Sequence, residues 1–530
     1  MAIALAAPRS TRTDAFAASG SRGPGRRHRR RSADEAGEGK WVRFRADVRD
    51  VFDRYGERTS APHKRFVMLL ILIGTALRAW MLFAPITYDE AFAYIAFVAR
   101  PVGVIMSDYS HPTNHVPYTL LAKVSTGIFG TGTVAMRLPA FIAGVLTLPL
   151  FYLFVRGMFN RYIALMALAL VASSGGLIEY SALARGYSIS WLCMAAALVL
   201  GRHFINENNP VTAVLIGLVC ALGAWSVPAM VLIAAMVHIW LFLALLFKYD
   251  QSLRARLRNL LLSAVVFILV ALLLYLPVVM VHGVDQLFHH AVLPEHSWKK
   301  FATHHADQAL ELWVYFTDTS AAWVALLGFA GLFHATYISS KFRMLVMGMA
   351  LGAVPLVMLL SDVGPPRIWL FTLYIFHLSS AIALFYLLKF VQDKLLPGFG
   401  KRVRTAGACL ILLLLAWPAM REVRQRVPRY PEAAWAAHLL ARTLEPGDHV
   451  LADARWEAPL AFHLLAEDVA GGVMGGAPTT GHIGYFAVDN ESPEPMSLVL
   501  RYHELDPAQF PDPTMVEEWE RMGIFAARLR

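Results

Sequence analysis

The sequence predicts an all-α polytopic membrane bundle of about 11 transmembrane helices, with juxtamembrane helices on the outer face and a small extracytoplasmic α/β domain at the C-terminus. Three observations lead there. Hydrophobic residues make up 57% of the 530 residues and charged residues only 16%, far from the balance of a soluble globular chain. Apolar runs long enough to cross about 30 Å of hydrocarbon recur from Phe66 to Met420. Residues 421–530 lose that character and instead carry helix and strand patterns broken by turn residues.

Residues 1–65 hold 16 Lys/Arg against 8 Asp/Glu, and the chain as a whole has a formal charge of +10. On a membrane chain, a basic leader of this kind keeps the N-terminus in the cytoplasm, and no nucleic-acid partner is expected. "MAIALAAP" is too short for the apolar region of a signal peptide, and the Gly/Arg/Ser-rich stretch after it points to disorder up to about residue 40. "WVRFRADVRDVFDRYGER" alternates apolar and charged residues at helical spacing, as an interfacial helix does.

A first span at 66–85 then delivers residues 86–136 to the outer face. Within that loop, "HVPYTLLAKVSTGIFG" carries Lys123 in its middle and is read as lying along the interface. Only that reading puts Arg156/Arg161, Arg202, 248–258, Lys341/Arg343 and 394–404 all on the cytoplasmic side, as the positive-inside rule requires. The remaining spans fall near 137–155, 161–178, 187–203, 211–227, 229–247, 259–281, 321–338, 344–360, 367–391 and 405–420. A transmembrane domain at 66–420, outer loops at 86–136 and 282–320, and an outer domain at 421–530 follow. In that last domain the pattern reads as a helix, a Pro-Gly-Asp turn, a buried strand at His449–Ala452 and another helix. Cys193, Cys220 and Cys409 lie in apolar runs without metal-ligand or redox spacing, and are read as packing residues.

Charge is rare in such a chain, so where it collects is informative. Asp89 and Glu90 stand side by side just beyond the first span, with Arg78 eleven residues earlier. His111, Asn114 and His115 follow in "SDYSHPTNHVPY", then Glu179, Arg185 and Tyr187 in "EYSALARGYS", and Arg367 in "GPPRIWLF". The span parity puts all of them on one face. Carboxylates with Arg and His at an outer membrane surface suit transfer from a phosphate-linked donor: one carboxylate takes a proton from an acceptor hydroxyl while cations stabilise the departing phosphate. Nucleotide sugars are absent outside the cell, so a polyprenyl-phosphate-linked sugar is the donor that fits. A transporter or flippase of a lipid-linked substrate is the alternative; it predicts charges spread through the membrane depth.

The order "R…YDEA", "HPTNHVPYTLLAK", "MRLPAFIAGVLTLPLFYLFVRGMFNRYIALMALALVASS" and "EYSALARGYS" resembles the C-type superfamily of polyprenyl-phosphate-sugar glycosyltransferases, over roughly residues 70–205. That group includes the dolichyl-phosphate-mannose protein mannosyltransferases of glycosyltransferase family 39 and the bacterial lipid A aminoarabinose transferases. The resemblance implies a multi-pass enzyme of the bacterial inner membrane that inverts the anomeric centre. It makes Asp89 the general base and Glu90 its support. It also implies donor-phosphate contacts from Arg185, Arg367 and His111, and substrate contacts from Glu179, Tyr187 and Asn114. This chain departs from the family pattern at Thr113, where a second Pro is usual, and at Ala184, where some members carry Glu. The expected partners are the lipid bilayer, the lipid-linked donor, and an extracytoplasmic acceptor that is a protein, lipid or polysaccharide. No cofactor or metal is expected; a divalent cation between Asp89 and Glu179 is the alternative. The histidine-rich loop 282–305 is read as a mobile cover over the substrate.

Overall fold

The computed structural model describes residues 39–247, 253–284, 298–318, 322–360, 364–395, 400–414, 418, 421–422, 427–475 and 481–528. The basic leader up to residue 38, and His289, His290 and His296 of the histidine-rich loop, lie outside the described residues. Residues 1–58 and 59–530 form two compact units. The described part of the first is one helix, α1 (Lys40–Arg58), where the alternating apolar and charged pattern predicts one.

Among the described residues the expected spans fall on helical segments, with 161–178 and 367–391 each divided between two helices and the expected span 405–420 described only to Leu414 and at residue 418. The chain runs through α2 (Ala61–Met81), α3 (Tyr88–Ala93), α4 (Val102–Ser107), α5 (Val116–Phe129), α6 (Thr133–Met158), α7 (Arg161–Ser173), α8 (Gly175–Ala182) and α9 (Tyr187–Glu207). It continues through α10 (Pro210–Ser226), α11 (Met230–Leu246), α12 (Leu253–His282), α13 (Trp298–Asp318), α14 (Ala322–Ile338), α15 (Ser340–Leu360), α16 (Pro366–Trp369), α17 (Thr372–Leu395) and α18 (Lys401–Leu414). Among the described residues, four helices are long and apolar enough to cross a bilayer, in α6, α9, α12 and α17, and the bent pairs α7–α8 and α14–α15 raise the number to six. The expected eleven therefore stands at four to six by length and composition. The difference has simple causes: α10 and α11 are only 17 residues long, and α2 carries His63, Lys64, Arg65 and Arg78 within its 21.

Arg78 fills the 60° bend between α7 and α8. Its guanidinium is fully buried and donates to the carbonyls of Val171 (3.3 Å) and Ala172 (3.4 Å), at the end of α7, and to Gly74 O (2.9 Å). Its Nε also reaches Ser181 Oγ on α8 at 3.3 Å. An intramembrane cation needs a partner; here the open carbonyl end of a helix supplies it, through the negative pole of the helix dipole. Arg78 therefore serves the bundle and does not pair with Asp89 or Glu90.

Residues 86–136, expected as an outer loop, are helical in α3, α4 and α5. The 14 residues of α5 span about 21 Å, too short for a crossing. The expected outer loop at 282–320 holds, among its described residues, the 21-residue helix α13, with apolar Leu310, Trp313 and Val314 at i, i+3 and i+4.

The C-terminal layer follows the sequence closely. Helix α19 (Pro431–Thr443), strand β1 (His449–Ala452) and helix α20 (Glu457–Ala466) come first, then β2 (Ile483–Asp489), α21 (Pro495–Tyr502), β3 (Thr514–Glu518) and β4 (Met522–Arg528). The sheet order is β1-β2-β4-β3, with β1 and β2 parallel and the other pairs antiparallel. Ala433, Ala436 and Leu440 of α19 pack on Val450, Leu460 and Ile524 to form its core. Phe462 of α20 is fully buried beside Tyr94, Val98 and Tyr118 of the 86–136 segment, a contact that contributes roughly 2 kcal/mol from area alone. This packing seats the layer on the loop that carries the acid pair.

Candidate active site

The site begins at Thr87. "TYDE" is a capping box: Thr87 Oγ1 accepts from the Glu90 amide at 3.3 Å while Glu90 Oε2 accepts from the Thr87 amide at 3.0 Å. This starts α3. The two acids then part. Glu90 is fully buried, and Arg137 of α6 grips it with Nε on Oε1 (2.8 Å) and Nη2 on Oε2 (2.6 Å). The Ala184 amide also donates to Glu90 Oε1 at 2.8 Å. Burial alone would raise this carboxyl, but Arg137 and the amides of Ala184 and Thr87 outweigh it and hold the pKa at about 2. Arg137 spends its remaining bonds on the carbonyls of Leu82, Ala84 and Pro85.

Asp89, one residue away, has a side chain 50% exposed and forms an ion pair with Arg185. Arg185 is itself buried, and its Nη1 has no hydrogen-bond partner among the described residues. Such a donor is costly unless an acceptor meets it, and an anion would. Gly186 allows the tight turn that follows: a Cβ there would stand 2.6 Å from Ser226 Oγ and 2.8 Å from His115 Cβ. His115 donates its Nδ1–H to the Ser226 carbonyl at 2.8 Å and lies against the Tyr187 ring at 5.1 Å. Burial, followed by the Arg185 charge, lowers its pKa to about 3, so the ring stays neutral.

These elements enclose a cavity of about 230 Å³. Asp89 with Tyr88 forms one wall, Arg185 with Tyr187 and Tyr180 a second, and Arg367 a third. Arg367 and Tyr187 line this cavity together. The remaining wall comes from the C-terminal side, as Val427, Pro428 and Tyr430. Of the residues expected at the site, Asp89, Arg185, Tyr187 and Arg367 thus line one cavity.

The other four lie elsewhere. Glu90 sits behind the wall on Arg137. Glu179 is buried on α8 and ion-paired with Arg429. His111 holds a local turn, with Nδ1 2.9 Å from Thr113 Oγ1. Asn114 is buried, donating to the carbonyls of Ile105 (2.9 Å) and Asp108 (2.7 Å) and accepting from Thr119 at 3.0 Å. Arg137 and Arg429 are the residues that sequence reasoning missed. Arg137 carried a signal, being a cation inside an apolar run, where it needs an acid. Arg429 carried none.

Asp89 and Glu179 are each engaged by an arginine, so a cation between them would have to displace two guanidinium groups. Among the described residues, no cluster of three or more His, Cys, Asp or Glu is arranged to hold a metal ion.

Residues 110–276 match the dolichyl-phosphate-mannose-protein mannosyltransferase family. The match takes in Arg185 and Tyr187 but neither Asp89 nor Arg367. No curated protein sequence matches the chain. The structure is similar to that of ArnT from Cupriavidus metallidurans bound to undecaprenyl phosphate, with a TM-score of 0.58 at 13% identity over 87% of this chain and 97% of that one. The apo state of the same protein gives 0.57 at 13% identity, over 88% and 98%. The expected resemblance holds: the chain has the fold of the C-type glycosyltransferases.

Proposed function

We propose that this chain is a membrane glycosyltransferase that moves one sugar from a polyprenyl-phosphate donor to a hydroxyl acceptor outside the cytoplasmic membrane, with inversion. The observation that carries this reading is a single cavity that sets the half-exposed carboxylate of Asp89 against the guanidinium groups of Arg185 and Arg367. The likeness to a protein whose structure holds undecaprenyl phosphate supports a lipid phosphate as the ligand.

In the proposed step, the acceptor oxygen attacks the anomeric carbon from the face opposite the phosphate. The new C–O bond forms as the bond from the anomeric carbon to the phosphate oxygen breaks, and the electron pair leaves with the phosphate. The acceptor proton passes to Asp89, and the charge gained by the departing phosphate rests on Arg185 and Arg367. A donor phosphate competes with Asp89 for Arg185, so donor binding itself releases the base from its ion pair. Tyr187 lines the cavity beside the two arginines. Glu90 positions the helix that carries Asp89 and does not touch substrate. The step is written without a divalent cation, since Glu179, one of the two carboxylates such an ion would bridge, is held by Arg429 in a buried ion pair.

The N-terminus is cytoplasmic in this reading, and the cavity and the C-terminal layer face outward in a bacterial inner membrane. The test uses the purified protein in nanodiscs with polyprenyl-phosphate monosaccharides and a crude outer-surface acceptor fraction, in the presence of a chelator. Release of free polyprenyl phosphate, with a product of inverted anomeric configuration, is the expected result. Failure of release with every donor, or release that requires a divalent cation, overturns the activity or its metal independence respectively.

A further inference from the structure

The segment 427–432, between the bundle and the C-terminal layer, is bound on both sides. On one side, Arg429 forms a buried ion pair with Glu179 of α8 and donates from Nη1 to the Pro85 carbonyl at 3.0 Å. The next amide, of Tyr430, donates to the Ile86 carbonyl at 3.0 Å. Pro85 and Ile86 are the two residues immediately before the Thr87 cap of the Asp89 helix. On the other side, Arg521, in the turn before β4, donates to the Arg429 carbonyl at 2.6 Å. It also grips Glu432 with Nε on Oε1 (3.1 Å) and Nη2 on Oε2 (2.9 Å). Between these anchors, Val427, Pro428 and Tyr430 face the cavity.

We infer that Arg429 is a positioning residue of this site, and that through it the C-terminal layer forms part of the catalytic unit. The inference rests on the reading of the cavity given above.

Two features of the geometry carry it. Arg429 joins three parts that are far apart in sequence: α8, the strand-like approach to α3, and the wall of the cavity. A lone hydrophobic contact would hold the layer in place as well, but it would not fix the register of 85–87, where two successive carbonyls are taken by two successive residues of the segment. The Asp89 carboxylate sits at the second position of the short helix α3. A shift of its entry turn moves the carboxylate relative to Arg185 and Arg367, which are held by other elements, and misplacement by about 1 Å is enough to cost a large factor in rate. The arginine cannot be replaced by lysine without loss. A lysine would neutralise Glu179, yet it lacks the fork that meets the carboxylate and the Pro85 carbonyl together.

Arg429→Gln leaves Glu179 buried without its cation and risks misfolding, so the informative variants are Arg429→Lys and the pair Glu179→Gln with Arg429→Gln. Two readouts are taken on the full chain in nanodiscs. The first is transfer kinetics with a polyprenyl-phosphate monosaccharide. The second is hydrogen exchange of the amides at 86–91, which needs no substrate. Arg429→Lys is expected to lower kcat at least tenfold with KM for the donor within about twofold, and to speed exchange at 86–91 while the helices of the bundle exchange as before. Wild-type kcat in Arg429→Lys, or unchanged exchange at 86–91 in both variants, overturns the inference. A loss that appears as KM alone also overturns it, because that would make Arg429 a donor ligand. If the wild-type protein turns over none of the donors, the functional reading fails, and the exchange measurement still decides whether the segment holds the Asp89 helix.

Discussion

Glu90 takes both arms of the Arg137 guanidinium at 2.8 and 2.6 Å, inside a site closed to solvent. Asp89, its chain neighbour, points the other way into the cavity. Successive residues at a helix start point in different directions, since only i, i+3 and i+4 share a face. The acid pair is therefore two separate devices, one for holding the loop and one available for chemistry.

The two acids should fail differently when neutralised. Asp89→Asn keeps the shape and an acceptor toward Arg185, so the folded protein and its donor binding persist while transfer falls by about 10²–10⁴-fold, the usual worth of a general base. Glu90→Gln leaves Arg137 buried with its charge uncompensated, which costs on the order of 3–5 kcal/mol. It should lower the thermal midpoint and the yield of folded protein first, with activity lost in proportion. Melting curves beside transfer rates separate the two; equal melting of both variants would contradict the division of labour.

Acid sensitivity follows from the same pair. Glu90 has a folded pKa of about 2 against an ordinary 4.5. A depressed carboxyl contributes stability that is fully present above about 4.5 and is lost as pH falls toward 2. The shift corresponds to roughly 3 kcal/mol. The denaturation midpoint of the full chain in detergent should drop across pH 4.5 to 2, and the Glu90→Gln variant should show a shallower drop over that window.

Much of this architecture is legible in the sequence, because hydropathy and turn chemistry are local. The expected spans lie on helical segments where the residues are described, two of them each divided between two helices, and β1 has the bounds His449–Ala452 that the flanking Pro-Gly-Asp turn predicts. What escapes is pairing across distance. Glu90 and Arg137 are 47 residues apart, and Glu179 and Arg429 are 250 apart; no periodicity joins such pairs. As a result, Glu179 reads as a substrate ligand until Arg429 is seen beside it, and Arg78 reads as a partner for the acids until the broken helix supplies carbonyls. The capping box at Thr87 and Glu90 is different. Its spacing is present in "TYDE", a local signal that the reading of Asp89 and Glu90 as one pair passed over.

In the proposed reading a donor phosphate meets two cations, the buried Arg185 and the exposed Arg367. Arg367→Gln removes a cation from the surface of the cavity and should leave the melting temperature unchanged. Donor affinity should weaken by about 10- to 100-fold, as expected for a charge-assisted hydrogen bond. Arg185→Gln removes both a phosphate contact and the Asp89 ion pair, so it should raise KM and lower kcat together. Binding of undecaprenyl phosphate, measured by calorimetry or native mass spectrometry, reads the first effect without turnover. Undiminished binding in Arg367→Gln would remove that residue from the site.

His115 supplies a pH test with the opposite chemistry. Its folded pKa of about 3 lies below the ordinary 6.5 because burial and the Arg185 charge oppose protonation. Below about 6.5 the unfolded chain takes up a proton that the folded chain refuses, so stability falls as pH drops from 6.5 toward 3. The full shift is on the order of 5 kcal/mol, and the window opens two units above that of Glu90. His115→Asn cannot titrate and should flatten the stability curve between pH 6.5 and 4.5. The ring also stays neutral throughout the operating range, with its Nδ1 proton fixed on Ser226, so it contributes no limb to the rate profile between pH 5 and 8. A limb near pH 6.5 that disappears in His115→Asn would show that the imidazole titrates in the working enzyme, and would place it among the groups that exchange protons with substrate.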